Sequence, residues 1–374
     1  MKIIFVSVVL NNHQVGVADR LYEITQEDFQ FIQTGQWQEL DRKGGDDFST
    51  RPYLVRASDF KDKRYIRQLI EDADVMIYGA APIEYLRHRV KTGKLTFLYS
   101  ERWLKRGWVN IFSPRLLRQQ LFYHLHCHGK PMYALCASSF AAGDFRKLYS
   151  FRNKCFKWGY FPKIPVIGFD NITKNNRLDE KIKILWVARF IPLKHPEIMI
   201  GLAKYLEEKS YDYSITMIGD GELRGRIEPE AKALNVNITF EGALSNKDVL
   251  HAMQHHQIFC FTSNRLEGWG AVVNEAMANG CCPVVSDVVG SAKFLIKDGE
   301  NGYTYNTYKS EEFYEKVCRL IENKEELLAM RKRAYETIHE QWNAETAADN
   351  LYRLSMSLLN GQTPEIEVGP GSKA

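Results

Sequence analysis

Glu267-Gly-Trp-Gly-Ala-Val-Val-Asn-Glu275 is the stretch that decides the fold, because it joins two structural patterns and two carboxylates. The apolar run before it, Ile258–Phe261, is typical of a buried strand, and the run after it, residues 271–278, is typical of a helix. Glu267 is therefore predicted at a strand-to-helix turn. Glu275 is predicted about two turns into the helix, at ~3.6 residues per turn.

The glycines of this stretch predict a ligand site at the start of the helix. Gly268 and Gly270 let a ligand approach the backbone N–H groups closely. Such groups at a helix N-terminus favour phosphate. Two carboxylates that can bind hydroxyls, beside a backbone that can bind phosphate, together indicate a sugar nucleotide.

The sequence downstream extends the pattern and carries a family resemblance. A helix, a glycine stop and the strand run Pro283–Ser286 follow, and then Asn301-Gly302. This arrangement resembles the donor-binding half of the family-4 retaining glycosyltransferases, densely over about residues 180–345 and thinly over 1–170. The resemblance implies an α/β protein of the GT-B fold, in which two Rossmann-like doubly wound domains face a central cleft.

The resemblance also implies roles for residues of the second half. Arg189 and Lys194 resemble the family's donor-phosphate motif, with Ala188 where glycine is common, and would stabilise the leaving diphosphate. Glu267 would bind hydroxyls of the transferred sugar, and Glu275 the ribose. The remaining implied contacts of the nucleotide sugar are Gly219, Leu244 near the base, and the backbone of Gly268, Trp269, Gly270, Ala271 and Val272.

Three residues of the first half complete the predicted site. The loop Asn11–Gly16 corresponds to one that relatives place against the donor phosphates and the acceptor, so Gly16 and His13 are candidates, with Gln14 as the alternative to His13. Glu101 follows a predicted strand and would face the reacting sugar. The alternatives are a structural loop histidine at position 13 and a salt bridge from Glu101 to a neighbouring arginine.

Length and composition predict a two-domain enzyme. The chain has 374 residues, of which 45% are hydrophobic, and lacks an apolar run of about 18 residues that could span a membrane. The predicted parts are an acceptor domain (1–172), a donor domain (180–343), a helix returning to the first domain (344–360) and a disordered tail (361–374). Seven cysteines without a Cys-x-x-Cys pair indicate reduced thiols in the cytoplasm.

Charge is unevenly distributed and predicts an anionic partner for the first domain. Residues 83–163 contain 16 Lys and Arg against three acidic residues. Trp103, Trp108 and Phe112 lie among these cations, a mixture suited to a lipid headgroup boundary at the inner face of the cell membrane. A soluble anionic acceptor is the alternative. Nucleic acid is not predicted, since no recognition motif accompanies the charge.

The predicted function is transfer of a hexose-type sugar from a nucleotide sugar to a glycan or lipid-linked glycan in cell-surface polysaccharide synthesis. No cofactor and no metal are predicted, because Asp72-Ala73-Asp74 precedes a strand, whereas a metal-binding Asp-x-Asp should end one. The family's retaining reaction is described as front-face attack, in which the donor phosphate takes the acceptor proton. The alternatives are a sugar-nucleotide epimerase on the same fold and a non-catalytic nucleotide-sugar-binding protein.

Overall fold

The computed structural model describes residues 1–35, 48–60, 62–176, 178 and 181–374, which form two compact units. The first unit contains residues 1–163 and 341–374, and the second contains residues 164–340. Each unit is built on its own sheet, and every described strand pairing within both sheets is parallel. Parallel sheets are covered on both faces, which explains why their strands are so apolar.

The sheet of the first unit has seven strands in the order β3-β2-β1-β4-β5-β6-β7. The strands are β1 (Ile3–Ser7), β2 (Phe29–Gln33), β3 (Leu54–Arg56), β4 (Val75–Tyr78), β5 (Leu95–Ser100), β6 (Met132–Cys136) and β7 (Cys155–Lys157). The helices are α1 (Val15–Ile24), α2 (Arg64–Asp72), α3 (Ile83–Thr92), α4 (Pro114–Phe122), α5 (Ala141–Lys147) and, after the second unit, α14 (Ala344–Leu359). Strand order reverses between β1 and β4.

The sheet of the second unit has six strands in the order β10-β9-β8-β11-β12-β13. They are β8 (Ile182–Val187), β9 (Tyr213–Ile218), β10 (Ile238–Gly242), β11 (Ile258–Phe261), β12 (Cys282–Ser286) and β13 (Tyr303–Tyr305). The helices are α6 (Phe169–Asn175), α7 (Glu197–Glu208), α8 (Arg224–Ala233), α9 (Asn246–Gln254), α10 (Ala271–Ala278), α11 (Ala292–Leu295), α12 (Ser310–Glu322) and α13 (Lys324–Glu336). Here the order reverses between β8 and β11.

The C-terminal helix α14 packs on α1 within the first unit. Gly16 permits the close approach, since a Cβ atom at that position would lie 2.8 Å from the Cβ of Ala344. An ion pair between Arg20 Nε and Asp349 Oδ1, 2.9 Å long, ties the same two helices together. Packing of these helices is sufficient to explain a glycine at position 16.

The prediction of a disordered tail over residues 361–374 is wrong for the last residues of that segment. Gly371 N–H donates to the carbonyl of Lys157 at 2.8 Å, Lys157 N–H donates to the carbonyl of Ser372 at 2.7 Å, and Phe156 forms an antiparallel bridge with Lys373. The reason is that β7 is an edge strand, whose free backbone groups need partners. The tail supplies them, and Ser372 is buried as a result.

Arg89 connects three elements of the first unit from a fully buried position. Its guanidinium donates hydrogen bonds to four backbone carbonyls and one hydroxyl, those of Ile70, Ala73, Asp74, Leu95 and Thr96. Burial lowers the pKa of Arg89 to about 10, so the group stays charged at neutral pH. The side chain therefore fixes the end of α2 and the starts of β4 and β5 to α3.

None of the helices in the described part of the chain combines the length and the apolar composition needed to cross a membrane.

Replacing Arg89 with methionine should destabilise the protein strongly, because the carbonyl groups around it would be left buried without donors. We expect the free energy of unfolding to fall by about 3–5 kcal/mol, measured by urea denaturation. Arg67→Met on α2 is the control, since Arg67 is exposed and its loss should change stability by no more than about 0.5 kcal/mol. Equal unfolding midpoints for the two variants would contradict the role assigned to Arg89.

Candidate functional site

The site in the second unit lies where strand order reverses, between β8 and β11. In an open parallel sheet the loops that leave two such strands diverge, and ligands bind in the crevice beyond the strands' carboxyl ends. Arg189 and Lys194 follow β8, while Glu267 follows β11 and precedes α10. The topology thus brings three predicted residues to the same edge of the sheet.

Lys194 and Glu267 form an ion pair through Nζ and Oε2. Their side chains are only 13% and 14% exposed. Lys194 Nζ also lies 4.7 Å from the centroid of the Phe261 ring, in a cation–π contact. The pair therefore forms a largely desolvated cation and carboxylate, in which each group is held by the other.

Three residues that the sequence did not single out hold this pair in place. The hydroxyl of Thr262 donates to the carbonyl of Lys194 at 2.6 Å and accepts a bond from the buried Trp186 indole N–H at 2.9 Å. Asn264 N–H donates to the carbonyl of Leu193 at 3.0 Å. The Asn264 side chain also contacts the His195 ring at 3.1 Å. The loops after β8 and β11 are thereby fixed to each other.

Arg189 differs from Lys194 because its side chain is exposed and contacts no acidic group in the described part of the chain. The backbone of the Arg189 loop packs directly against the backbone of the loop after β9. Gly219 has φ +136°, and a Cβ atom there would lie 1.9 Å from the carbonyl oxygen of Ala188. Phe190 N–H also donates to the carbonyl of Asp220 at 2.9 Å. Gly219 therefore has a packing role beside the predicted ligand contact.

The start of α10 supplies unsatisfied backbone donors. Gly270 caps the helix in the left-handed region at φ +83°, where a Cβ atom would lie 2.9 Å from the Phe261 ring. Within the described ranges, the N–H groups of Ala271 and Val272 meet no hydrogen-bond acceptor. Because these groups point out of the first turn, they can receive an anion.

Trp269 reaches this site through its backbone alone. Its side chain is buried, and its indole N–H donates to Asn274 Oδ1 at 2.8 Å inside the unit. The neighbouring Gly268 is also buried. The predicted ligand contact at position 269 is therefore restricted to main-chain atoms.

Glu275 lies in the next turn of α10, and Leu244 lies in the loop after β10. Burial raises the pKa of Glu275 to about 7, against a lowering effect of the Asn246 amide, which donates to Oε1 at 3.4 Å. Leu244 is exposed, with 39% of its surface accessible. The carboxyl group of raised pKa and the exposed apolar side chain thus lie on segments that follow two strands of the same parallel sheet.

The first unit has its own cavity at its reversal point, beyond β1 and β4. It measures about 950 Å³ and is lined by residues that follow β1, β4 and β5, among them Gln14, Gly79 and Trp103. Gln14 is buried, and its Oε1 atom has no partner in the described residues. A buried acceptor of this kind needs a hydrogen-bond donor, which a bound water or a ligand group can supply.

His13 and Glu101 both line this cavity and are joined by Tyr160, which the sequence did not indicate. The Tyr160 hydroxyl donates to Glu101 Oε1 at 2.6 Å, and its ring stacks on His13 with centroids 5.3 Å apart. Lys105 Nζ lies 2.7 Å from Glu101 Oε2, so Glu101 forms an ion pair, with a lysine rather than with the arginine of the alternative prediction. Burial lowers the pKa of His13, whose Nδ1 meets no partner among the described residues.

Arg115, in the first turn of α4, adds a cation to the wall of this cavity. Its side chain is exposed and forms no ion pair with the acidic groups of the described ranges. Arg102, in contrast, is held by the buried Asp144 at 3.2 Å and lies over the Phe140 ring. Arg115 is therefore the cavity cation that remains available to an anionic group.

Replacing Glu275 with glutamine should stabilise the protein in a pH-dependent manner. The folded-state pKa of about 7 lies above the usual 4.5, so ionisation of this carboxyl costs the folded protein free energy as pH rises from 4.5 to 7. At pH 8 we expect the free energy of unfolding of Glu275→Gln to exceed that of the native chain by about 1–3 kcal/mol. The difference should vanish near pH 4.5, as measured by urea denaturation. The exposed Glu241→Gln is the control, and a gain that does not depend on pH would contradict the assignment.

Comparisons with known proteins agree with this geometry. Residues 169–337 match the family model described as glycosyl transferases group 1. Among curated proteins, the chain is 26% identical over 134 residues to a GalNAc-alpha-(1->4)-GalNAc-alpha-(1->3)-diNAcBac-PP-undecaprenol alpha-1,4-N-acetyl-D-galactosaminyltransferase of Campylobacter jejuni, covering 36% of each chain. It is 27% identical over 176 residues to an alpha-D-kanosaminyltransferase of Streptomyces kanamyceticus, covering 46% of this chain and 45% of the relative. These alignments span less than half of the relatives' lengths.

Solved structures resemble nearly the whole chain. Anabaena Alr3699/HepE in complex with UDP superposes with a TM-score of 0.71 at 14% identity, covering 96% of this chain and all of that one. TarM superposes with a TM-score of 0.66 at 12% identity, covering 95% and 98%. At such identities the likeness establishes the fold. The chain therefore has the two Rossmann-like domains of the GT-B fold, and residues 169–337 match the model of the glycosyl transferases group 1 family.

Proposed function

We propose that the protein is a retaining glycosyltransferase that moves a hexose-type sugar from a nucleoside diphosphate sugar to a hydroxyl group of a glycan. The observation that carries the proposal is the grouping after β8 and β11. There the largely buried Lys194–Glu267 pair and Arg189, which contacts no acidic group in the described part of the chain, accompany a helix N-terminus with unsatisfied donors. Cations and backbone donors suit a diphosphate, and a desolvated carboxylate suits sugar hydroxyls.

The reaction that this grouping suits needs no protein base. The acceptor hydroxyl oxygen attacks the anomeric carbon from the face that the diphosphate leaves. The bond from that carbon to the phosphate oxygen breaks, and its electron pair stays on the phosphate. That phosphate oxygen takes the proton of the acceptor hydroxyl, so charge balances and configuration is retained. Arg189 and Lys194 offset the negative charge that develops on the departing diphosphate.

Glu267 and Glu275 would position the donor. Glu267 accepts hydrogen bonds from hydroxyls of the transferred sugar, while Lys194 neutralises its charge and keeps it in place. Glu275 accepts from the ribose, and the exposed Leu244 packs on the base. The word alpha in the relatives' names describes the linkage that they form, which supports retention for a donor whose sugar is alpha-linked.

The acceptor would bind in the cavity of the first unit, with His13 and Glu101 in its wall and Arg115 facing an anionic part of the molecule. Relatives named for their acceptors support an anionic one. The C. jejuni transferase acts on a PP-undecaprenol-linked glycan, and a Staphylococcus aureus relative, 22% identical over 170 residues, is a poly(ribitol-phosphate) alpha-N-acetylglucosaminyltransferase. Synthesis of a cell-surface polysaccharide or of a lipid-linked glycan fits this chemistry.

Replacing Arg189 with alanine tests the proposal most directly, because this side chain is exposed and its loss leaves no buried partner. We expect turnover to fall by about 10²–10³, since a cation that acts on transition-state charge is removed. The melting temperature should stay unchanged. The measurement is release of nucleoside diphosphate from a panel of nucleotide sugars, together with mass detection of the glycosylated acceptor.

Arg226→Ala is the matched control, an exposed arginine on α8 of the same unit. Turnover of Arg189→Ala equal to that of Arg226→Ala would remove Arg189 from the active site. A second outcome separates the alternative enzyme. If nucleoside diphosphate is released together with an isomerised free sugar when no acceptor is present, the protein is an epimerase rather than a transferase.

Activity should persist in excess chelator, because we propose that Arg189 and Lys194 neutralise the diphosphate in place of a metal ion. The measurement is the rate of transfer before and after dialysis against EDTA. A rate that is unchanged by the chelator and by added Mg²⁺ is expected. Complete loss of transfer that Mg²⁺ restores would contradict metal independence.

A further inference from the structure

Six large apolar side chains stand exposed in one short stretch of the first unit. Phe112 is 86% exposed, Leu125 73% and Trp108 60%. The others are Val109, Leu117 and Leu121. Isolated exposed apolar residues are normal on a protein surface, but a group of this size in 18 consecutive positions, 108–125, marks an interaction surface.

These side chains belong to three consecutive elements that pack on one another. They are the short 3₁₀ helix Gly107–Phe112, helix α4 and the turn Tyr123–Cys127, and α4 contacts the other two. Leu117, Leu121 and Leu125 recur every four residues, so the first two lie on one face of α4. Leu104 and Leu116, in contrast, are buried in a separate small core together with Leu148.

The charged side chains within this stretch are of one sign. Residues 102–143 contain no Asp or Glu. Arg106 and Arg118 are exposed beside the apolar side chains and form no ion pair in the part of the chain that the structure describes. We call Arg106, Trp108, Val109, Phe112, Leu117, Arg118, Leu121 and Leu125 the basic apolar face.

We propose that the basic apolar face binds the surface of a lipid bilayer with anionic headgroups. Its aromatic and leucine side chains would enter the boundary between headgroups and acyl chains, while the arginines contact the headgroup phosphates. Pairing with a second copy of this chain is disfavoured, because it would bring two surfaces of the same charge together. An acidic protein partner would satisfy the cations, but it would not require six exposed apolar groups.

The inference does not depend on sugar transfer, so its test needs neither donor nor acceptor. The purified chain is sedimented with vesicles of equal phosphatidylglycerol and phosphatidylcholine, and with vesicles of phosphatidylcholine alone. We expect binding to the anionic vesicles at low salt, weakened at high salt because the cations are screened. Arg106→Glu/Arg118→Glu should weaken binding by about tenfold or more.

A second pair of variants tests the apolar contribution. Trp108→Ser/Phe112→Ser removes two exposed rings and should weaken binding that persists at high salt, with an unchanged melting temperature because neither ring is buried. The matched controls are Lys247→Glu/Lys324→Glu for charge and Val166→Ser/Tyr308→Ser for apolar exposure, all on exposed residues of the second unit. Both controls should bind like the native chain.

Three results would overturn the proposal. The first is failure of the native chain to sediment with anionic vesicles at low salt. The second is equal loss of binding in the control variants, which would show that overall charge or hydrophobicity decides. The third is a concentration-dependent dimer in sedimentation velocity that Trp108→Ser/Phe112→Ser abolishes, since the face would then be an interface between copies. Normal glycosyl transfer together with any of these results would leave the proposed activity intact.

Discussion

Parallel pairing of every described strand is the constraint on which the rest of the structure depends. Parallel strands end at the same edge of a sheet, and where strand order reverses, the loops of two neighbouring strands diverge and leave a crevice. Both sheets reverse once, between β1 and β4 and between β8 and β11. The cavity of the first unit follows from the first reversal, and the Lys194–Glu267 pair follows from the second. Residues 73 positions apart in sequence thereby become partners.

The regular parts of the fold could be predicted from hydrophobic patterns, whereas short and mixed elements could not. The strands that begin at Ile3, Val75 and Met132, like most strands of the second sheet, are apolar runs of the kind that predicts a buried strand. Strands β3, β7 and β13 have three residues each, too few for a pattern, and β2 alternates glutamine with phenylalanine. Helix α3 was not predicted, because the charged residue Arg89 occupies a core position and interrupts the apolar pattern of the helix. Helix α4 ends at Phe122, and the chain continues in a wider π-helical turn over Tyr123–Cys127.

The candidate site was predicted where its chemistry lies within contiguous motifs and missed where it depends on distant contacts. Arg189, Lys194 and Glu267 follow strands, so their common edge could be inferred, although their roles stay predictions. Thr262 and Asn264 hold the Lys194–Glu267 pair in place. They do so through hydrogen bonds to backbone carbonyls, which leave no pattern in the sequence. Tyr160 reaches Glu101 from 59 positions away. Glu101 pairs with Lys105 rather than with an arginine, and the buried Asp144 holds the neighbouring Arg102.

The first unit is formed by two separate segments of the chain, and this affects the order in which the protein can fold during synthesis. Its seven-stranded sheet is encoded by residues 1–163, but the helix that covers α1 and the segment that completes the edge of β7 lie in residues 341–374. During synthesis the second unit emerges from the ribosome entire and can close first. Until residues 341–374 are made, the side of α1 that packs on α14 stays uncovered and β7 lacks its backbone partners. The first unit therefore completes its fold only after the second unit has been synthesised.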